Sequence, residues 1–193
     1  MKTTLLSLVL LGGLMPAQAA LFSYQAILDG PSESPANASP GTGFGTAIYD
    51  NVAHTLNLNV SFSGLTGTTT ASHIHAATAA PFTSTAGVAT TTPTFAGFPL
   101  GVSSGSYSIL LDLTQASSYN PSYVSANGGT TASAEAALTS AIAAGKAYWN
   151  IHSTTFGGGE IRGFFTPVPE PSSLALIGLG MFGFAVQART RRL

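Results

Sequence analysis

The chain has 193 residues, a formal net charge of -1, 7% charged residues and no cysteine. The missing cysteines exclude thiol nucleophiles, cysteine-ligated zinc and iron–sulfur centres, and the missing basic blocks exclude nucleic-acid binding through phosphate neutralisation. Hydrophobic residues make up 45%, so the chain is not of the low-hydrophobicity, high-charge kind that stays disordered.

Lys2 precedes the apolar run Leu5 to Leu14, and Met15-Pro16-Ala17-Gln18-Ala19 follows. A charged start, a short apolar stretch and small residues at Ala17 and Ala19 predict a signal peptide over residues 1–19, cut by signal peptidase after Ala19. The run is too short for a spanning helix, which needs about 20 apolar residues. Setting both ends aside leaves roughly 145 residues, enough for one domain with a core.

Leu21 to Leu28 alternates Phe22, Tyr24, Ala26 and Leu28 against Ser23 and Gln25, the period of a strand. Asp29-Gly30-Pro31 ends it, and Ser32 to Thr42 reads as a loop. Gly43 to Tyr49 is a second predicted strand, turning at Asp50-Asn51. The clearest alternation runs from His54 to Phe62, with Leu56, Leu58, Val60 and Phe62 on one face and Thr55, Asn57, Asn59 and Ser61 on the other. That pattern marks a half-buried strand of an antiparallel sheet. His54 sits at its turn end, in solvent.

A Gly/Thr turn leads to Ala71-Ser72-His73-Ile74-His75-Ala76. Thr78 to Gly105 has no clean period and is expected to be loops with one short strand near Gly87 to Thr91. Its aromatics Phe82, Phe95 and Phe98, with Tyr119 and Tyr123 further on, are read first as lids on the core and second as sugar-stacking rings. Tyr107 to Leu113 is another strand, and Ser117 to Thr130 a loop. Thr131 to Ala144 carries Ala134, Leu138 and Ile142 at helical spacing, with Gly145 as the cap. Ala147 to Phe165 then reads as a strand, a glycine turn and a strand. Several short antiparallel strands and one short helix predict an all-β sandwich.

The prolines of Thr166-Pro167-Val168-Pro169-Glu170-Pro171 are incompatible with helix. The uncharged run Leu174 to Val186 follows, then Arg189, Arg191 and Arg192. A helix from Ser172 to Ala188 would be roughly 25 Å long at about 1.5 Å per residue. It spans a bilayer with snorkelling arginines, and the arginines place that end in the cytoplasm. The Val168-Pro169-Glu170-Pro171 motif, apolar span and basic end over residues 167–193 closely resemble the PEP-CTERM sorting signal of Gram-negative bacteria. That resemblance implies an exosortase acting near Pro169-Glu170-Pro171, an inner-membrane stage, and delivery to the surface or an exopolysaccharide matrix.

Residues 20–166 resemble a CHRD (chordin-type) domain. The marks are Ser63 to Gly67, Ser72-His73-Ile74-His75, Ala144-Gly145, Tyr148-Trp149-Asn150-Ile151-His152 and Gly158-Gly159-Glu160-Ile161-Arg162-Gly163, with Glu33-Ser34-Pro35 near the start. The resemblance implies an immunoglobulin-like β-sandwich or barrel, makes Asn150, Glu160 and Arg162 family-motif residues, and carries no defined activity.

Strand parity places His73 and His75 on one face, and Tyr148, Asn150 and His152 on one face of the later strand. If those strands are neighbours, three histidines converge into a workable copper or zinc set. The plan is similar to copper/zinc superoxide dismutase, but no histidine is left for the bridging or zinc-loop positions, and the disulfide and electrostatic loop are missing. The alternative is structural: His73 and His75 hydrogen-bond to loops, Asn150 or Glu160 pins His152, and Arg162 pairs with Glu160 across the glycine turn or caps carbonyls. No two carboxylates have a catalytic spacing, Gly41-Thr42-Gly43-Phe44-Gly45 precedes a strand rather than a nucleotide-binding helix, and no nucleophile elbow is present. Two readings follow: a non-enzymatic exported surface or matrix protein, and a copper- or zinc-binding, superoxide dismutase-like domain using His73, His75 and His152.

Overall fold

A computed structural model describes residues 20–169. The predicted signal peptide, the spanning helix, Glu170 and Pro171 lie outside the described residues. Among the described residues no helix is long and apolar enough to cross a membrane.

The strands are β1 (Leu21–Asp29), β2 (Thr42–Asp50), β3 (Thr55–Ser63), β4 (Thr69–His75), β5 (Gly105–Asp112), β6 (Tyr148–Ser153), β7 (Ile161–Phe164) and β8 (Thr166–Pro167). They form one antiparallel sheet in the order β4-β6-β7-β1-β2-β3-β5, with β8 also pairing β1. β1 is fully paired with β2, and β2 with β3. The predicted parity holds: Tyr24, Ala26 and Leu28, then Leu56, Leu58, Val60 and Phe62, are buried. Phe22, at the strand's start, is exposed.

The sheet curls over so that its two halves share a core. β2 turns Gly43, Gly45 and Ala47 inward, opposite Phe62, Val60 and Leu58 of β3. A Cβ at Gly45 would lie 3.0 Å from the Trp149 ring, and one at Gly43 would lie 3.3 Å from Ile161. The Gly-x-Gly run of β2 is therefore the space into which β6 and β7 drop their large side chains. Trp149, Ile151 and Ile161 are fully buried there, giving the packed layers of a sandwich.

The predicted helix is α2 (Thr131–Ala143). Thr130 and Ser133 form a reciprocal capping box. At the other end Gly145 takes φ +66°, and Lys146 N–H and Gly145 N–H donate to the carbonyls of Ala141 and Ile142, the two bonds of a Schellman motif. Ala134, Leu138 and Ile142 face the core. The stretch read as a loop before it contains a 3-10 turn (Ala116–Ser118) and the short helix α1 (Pro121–Ala126). Asn120 caps α1, accepting from Ser122 N–H at 3.0 Å, with Pro121 in its first turn; an Asn-Pro start of this kind favours a helix as readily as a turn. Segment 76–104 has isolated bridges at Val88 and Thr90 instead of a strand. Phe95, Phe98, Tyr119 and Tyr123 are buried and act as lids, whereas Phe82 is exposed. His54 is exposed at the turn end as expected, and its Nδ1 also lies 2.9 Å from the buried carboxylate of Glu135 on α2.

Gly163 is where β7 crosses β1, and a Cβ there would run into the backbone of Ile27. Gly163→Ala should cost about 1–3 kcal/mol as an overpacked substitution. In a domain of this size that is a melting temperature lower by roughly 2–12 °C, checked by thermal denaturation. An unchanged melt would mean the two strands are not in this contact.

Candidate metal centre

β4 and β6 are neighbours, with His73 opposite Asn150, His75 opposite Tyr148 and Ala71 opposite His152. On β6 the odd residues Trp149 and Ile151 enter the core, so Tyr148, Asn150 and His152 project from the other face beside His73 and His75. That second face is covered as well: His73, Tyr148, Asn150 and Arg162 are all buried. Its roof is made by segments 76–104 and 30–41.

The three histidines meet. Their ring nitrogens lie within 4.8 Å of one another, and His73 Nε2 is 2.9 Å from His152 Nε2. Each ring is oriented through Nδ1 by a backbone carbonyl: Pro93 for His73 (3.2 Å), Ala86 for His75 (2.8 Å) and Gly157 for His152 (2.9 Å). A carbonyl only accepts, so each Nδ1 carries the proton and each neutral ring leaves Nε2 bare. Burial lowers His73 to about 3, helped by its neighbours His75 and His152. It lowers His75 to about 4 against the opposing Ala86 hydrogen bond, and it lowers His152. Near neutrality no ring holds a second proton, so bare lone pairs face one another. His75 Nε2 is buried without any partner.

Around the triad, the Tyr148 ring stacks on His75 at 4.8 Å and 5°, and the Arg162 guanidinium lies 4.7 Å over Tyr148, a cation–π contact strengthened by burial. Arg162 also donates from Nε to Ser32 O, and from Nη1 to Ser84 O at 3.0 Å. One side chain thus ties both roof segments to β7. Its carboxylate neighbour is Glu33, at 3.9 Å. Burial raises Glu33 to about 7, with Arg162 pulling the other way.

Of the structural alternative, the loop hydrogen bonds of His73 and His75 and the carbonyl partners of Arg162 are present, and two other expectations fail. Arg162 does not pair with Glu160, because Glu160 turns to segment 30–41 and the turn after β3. It accepts from Ser39 Oγ at 2.6 Å and from the N–H groups of Thr66 and Gly67. Burial alone would raise its carboxyl, but these bonds and the Ser153 hydroxyl hold it below the usual range. Nor do Asn150 or Glu160 pin His152; the Gly157 carbonyl does so from the glycine turn. Asn150 Oδ1 and Glu33 Oε1 are instead buried without hydrogen-bond partners, both within 2.8 Å of where Gly159 would carry a Cβ. Parity had already placed Tyr148 with the histidines. Glu33 and the three carbonyls had no signal, since they come from distant loops and every residue has a carbonyl. Of the sorting motif, Val168 donates its N–H to Ser23 O at 2.8 Å and Pro169 is the last described residue.

A model of the CHRD domain matches residues 24–165, and a model of the PEP-CTERM protein-sorting motif matches residues 167–192. No curated protein and no solved structure matches the chain.

The lowered histidines link stability to pH. An unfolded His protonates near 6.5, while folded His73 and His75 resist to about 3 and 4, so protons favour unfolding across that interval. Their contribution is full above about pH 6.5 and lost as pH falls toward 3. Glu33 has the opposite sign, its contribution present below 4.5 and lost as pH rises through about 7. Metal-free wild type should therefore lose melting temperature below about pH 6 more steeply than His73→Gln/His75→Gln, which keeps Glu33. Parallel melting profiles would mean the rings are not held neutral.

Proposed function

We propose, from the premise that the chain belongs to the CHRD domain family and ends in a PEP-CTERM sorting motif, that it is an exported surface protein whose domain holds copper or zinc without turning over a substrate. The sorting motif makes it an exosortase-processed protein, anchored in the membrane before processing and surface-localised afterwards. Signal peptidase removes residues 1–19, and an exopolysaccharide matrix is the proposed surroundings of the mature domain.

One observation carries the metal reading. Three buried-face histidines are each locked through Nδ1 to a carbonyl, leaving three bare Nε2 atoms turned inward. Carbonyl-oriented imidazoles are the usual surroundings of metal ligands, and nitrogen donors suit both copper and zinc. Two nitrogens on one ion, at bonds of about 2.0–2.1 Å, lie no more than about 4.2 Å apart. The 2.9 Å pair already fits, and the widest separation, 4.8 Å, needs only a small closure. Without an ion the same lone pairs repel, and His75 Nε2 stays desolvated at a cost.

A binding role is favoured over catalysis by the surroundings of the group, because three histidines with an open position are also a ligand set of catalytic zinc. It contains three histidines and no carboxylate, Glu160 is fully engaged with segment 30–41 and the turn after β3, and Arg162 is turned to Ser32 and Ser84. Among the described residues the cluster brings no acid or base of its own. Bound metal would act as a fixed Lewis acid, holding β4, β6 and the glycine turn together and offering its remaining position to a matrix donor.

Elemental analysis of the purified protein should find one equivalent of copper or zinc, lost in His75→Ala and in His152→Ala while circular dichroism shows both still folded. Metal-free wild type after incubation with either ion would leave only the packing role. Superoxide consumption by the loaded protein should not exceed that of the variants; turnover dependent on all three histidines would replace the binding reading with an enzymatic one. Deleting Val168 to Leu193 should abolish membrane retention and processing, read by cell fractionation, and identical fractionation would remove the sorting role from the tail.

A further inference from the structure

We infer that the edge of the domain formed by Leu21, Phe22 and Val168 rests on the headgroup interface of the membrane that anchors the chain before processing. The inference stands on the sorting tail and is independent of the histidine centre.

The chain stays part of the sheet almost to the sorting motif. β8 pairs with β1, Thr166 opposite Gln25 and Pro167 opposite Tyr24. Thr166 Oγ1 donates to Gln25 O at 3.3 Å, and Val168 N–H donates to Ser23 O at 2.8 Å. Only Pro169 to Ser173 then separates the sheet from the apolar run that begins at Leu174. Five residues reach at most roughly 18 Å even when fully extended. The headgroup layer itself takes up roughly 5–8 Å of that on each side of the hydrocarbon. With so short a tether, the end of the domain that carries Val168 is kept within roughly 10–13 Å of the headgroup surface.

That end is built for such a neighbour. Leu21 is 52% exposed, Phe22 43% and Val168 38%. Together with Tyr24, Pro167 and Ala143 they line an open groove of about 620 Å³ with no charged side chain in its wall. Large exposed apolar side chains grouped in this way mark interaction surfaces, and Phe and Leu side chains enter the headgroup–acyl boundary in interfacial segments. Ile27 and Phe44, paired across β1 and β2, are exposed too, but they lie at the other end of β1, roughly 20 Å along the strand at about 3.3 Å per residue. The tether selects the first patch and leaves the second in water.

The absence of cysteine makes a direct test available. Leu21→Cys, Phe22→Cys and, as reference, Ile27→Cys are introduced singly into the full chain and labelled with an environment-sensitive fluorophore. Each is reconstituted in vesicles of phosphatidylethanolamine and phosphatidylglycerol carrying headgroup nitroxide lipid. Probes at Leu21 and Phe22 should be quenched by the nitroxide at least about twice as strongly as the probe at Ile27, and should resist aqueous iodide. Equal quenching at all three positions, or free iodide access at Leu21 and Phe22, overturns the inference. So does shielding from both quenchers, which would mean that protein covers the groove. Flotation of the chain with the vesicles reports anchoring separately, so a failure of the tail is distinguished from a failure of the docking edge.

Discussion

β6 is buried on both of its faces, and the rest of the domain is arranged to make that possible. On one side Trp149 and Ile151 need apolar neighbours, which β2 provides by presenting glycine and alanine inward. Trp149 also places its indole N–H on Ser72 Oγ at 2.8 Å, so the largest core residue leaves no donor unsatisfied. On the other side Tyr148, Asn150 and His152 face a roof of loops instead of solvent. A strand with a polar face under cover must find a partner for every nitrogen and oxygen on it. The roof's carbonyls supply most of them. The atoms left over are His75 Nε2 in the histidine cluster, and Asn150 Oδ1 and Glu33 Oε1 beside Gly159.

Charge is scarce in this chain, and much of it lies inside. Glu33, Glu135, Glu160 and Arg162 are all buried. Buried charges are costly unless hydrogen-bonded, and here three of the four fasten something remote in sequence. Glu160 holds Ser39 and the turn after β3, Glu135 meets Tyr49 and His54, and Arg162 gathers Ser32 and Ser84. Exported without disulfides, the domain uses these polar clasps where another small domain would use cross-links. They act between loops and sheet, the junctions that strand pairing alone cannot hold.

The same economy links the fold to its delivery. β8 is only two residues long and belongs at once to the sheet and to the approach of the sorting motif. Its hydrogen bonds to β1 bring the domain close to the membrane until the tail is processed. The histidine centre lies on the β4 and β6 half of the sheet, with β7 between β6 and β1. Anchoring and the chemistry of the centre therefore use different strands of one layer.

The sequence alone determined the strand parities, and with them most of the core. Period-2 alternation is a local property of the backbone, so Leu56 to Phe62 could be assigned to one face without any knowledge of the neighbours. It also determined that His73 and His75 share a face, that Tyr148, Asn150 and His152 share another, and that α2 ends at Gly145. Helix α1 was hidden because Asn120-Pro121 opens a turn and a helix alike. That the two histidine faces are the same face was decided only by the pairing of β4 with β6. The partners of Glu160 and Arg162 were decided by loops about 78 to 130 residues away in sequence. Such contacts join side chains mostly to backbone N–H and C=O groups from separate parts of the chain, and these groups, present in every residue that is not proline, leave no mark in a sequence.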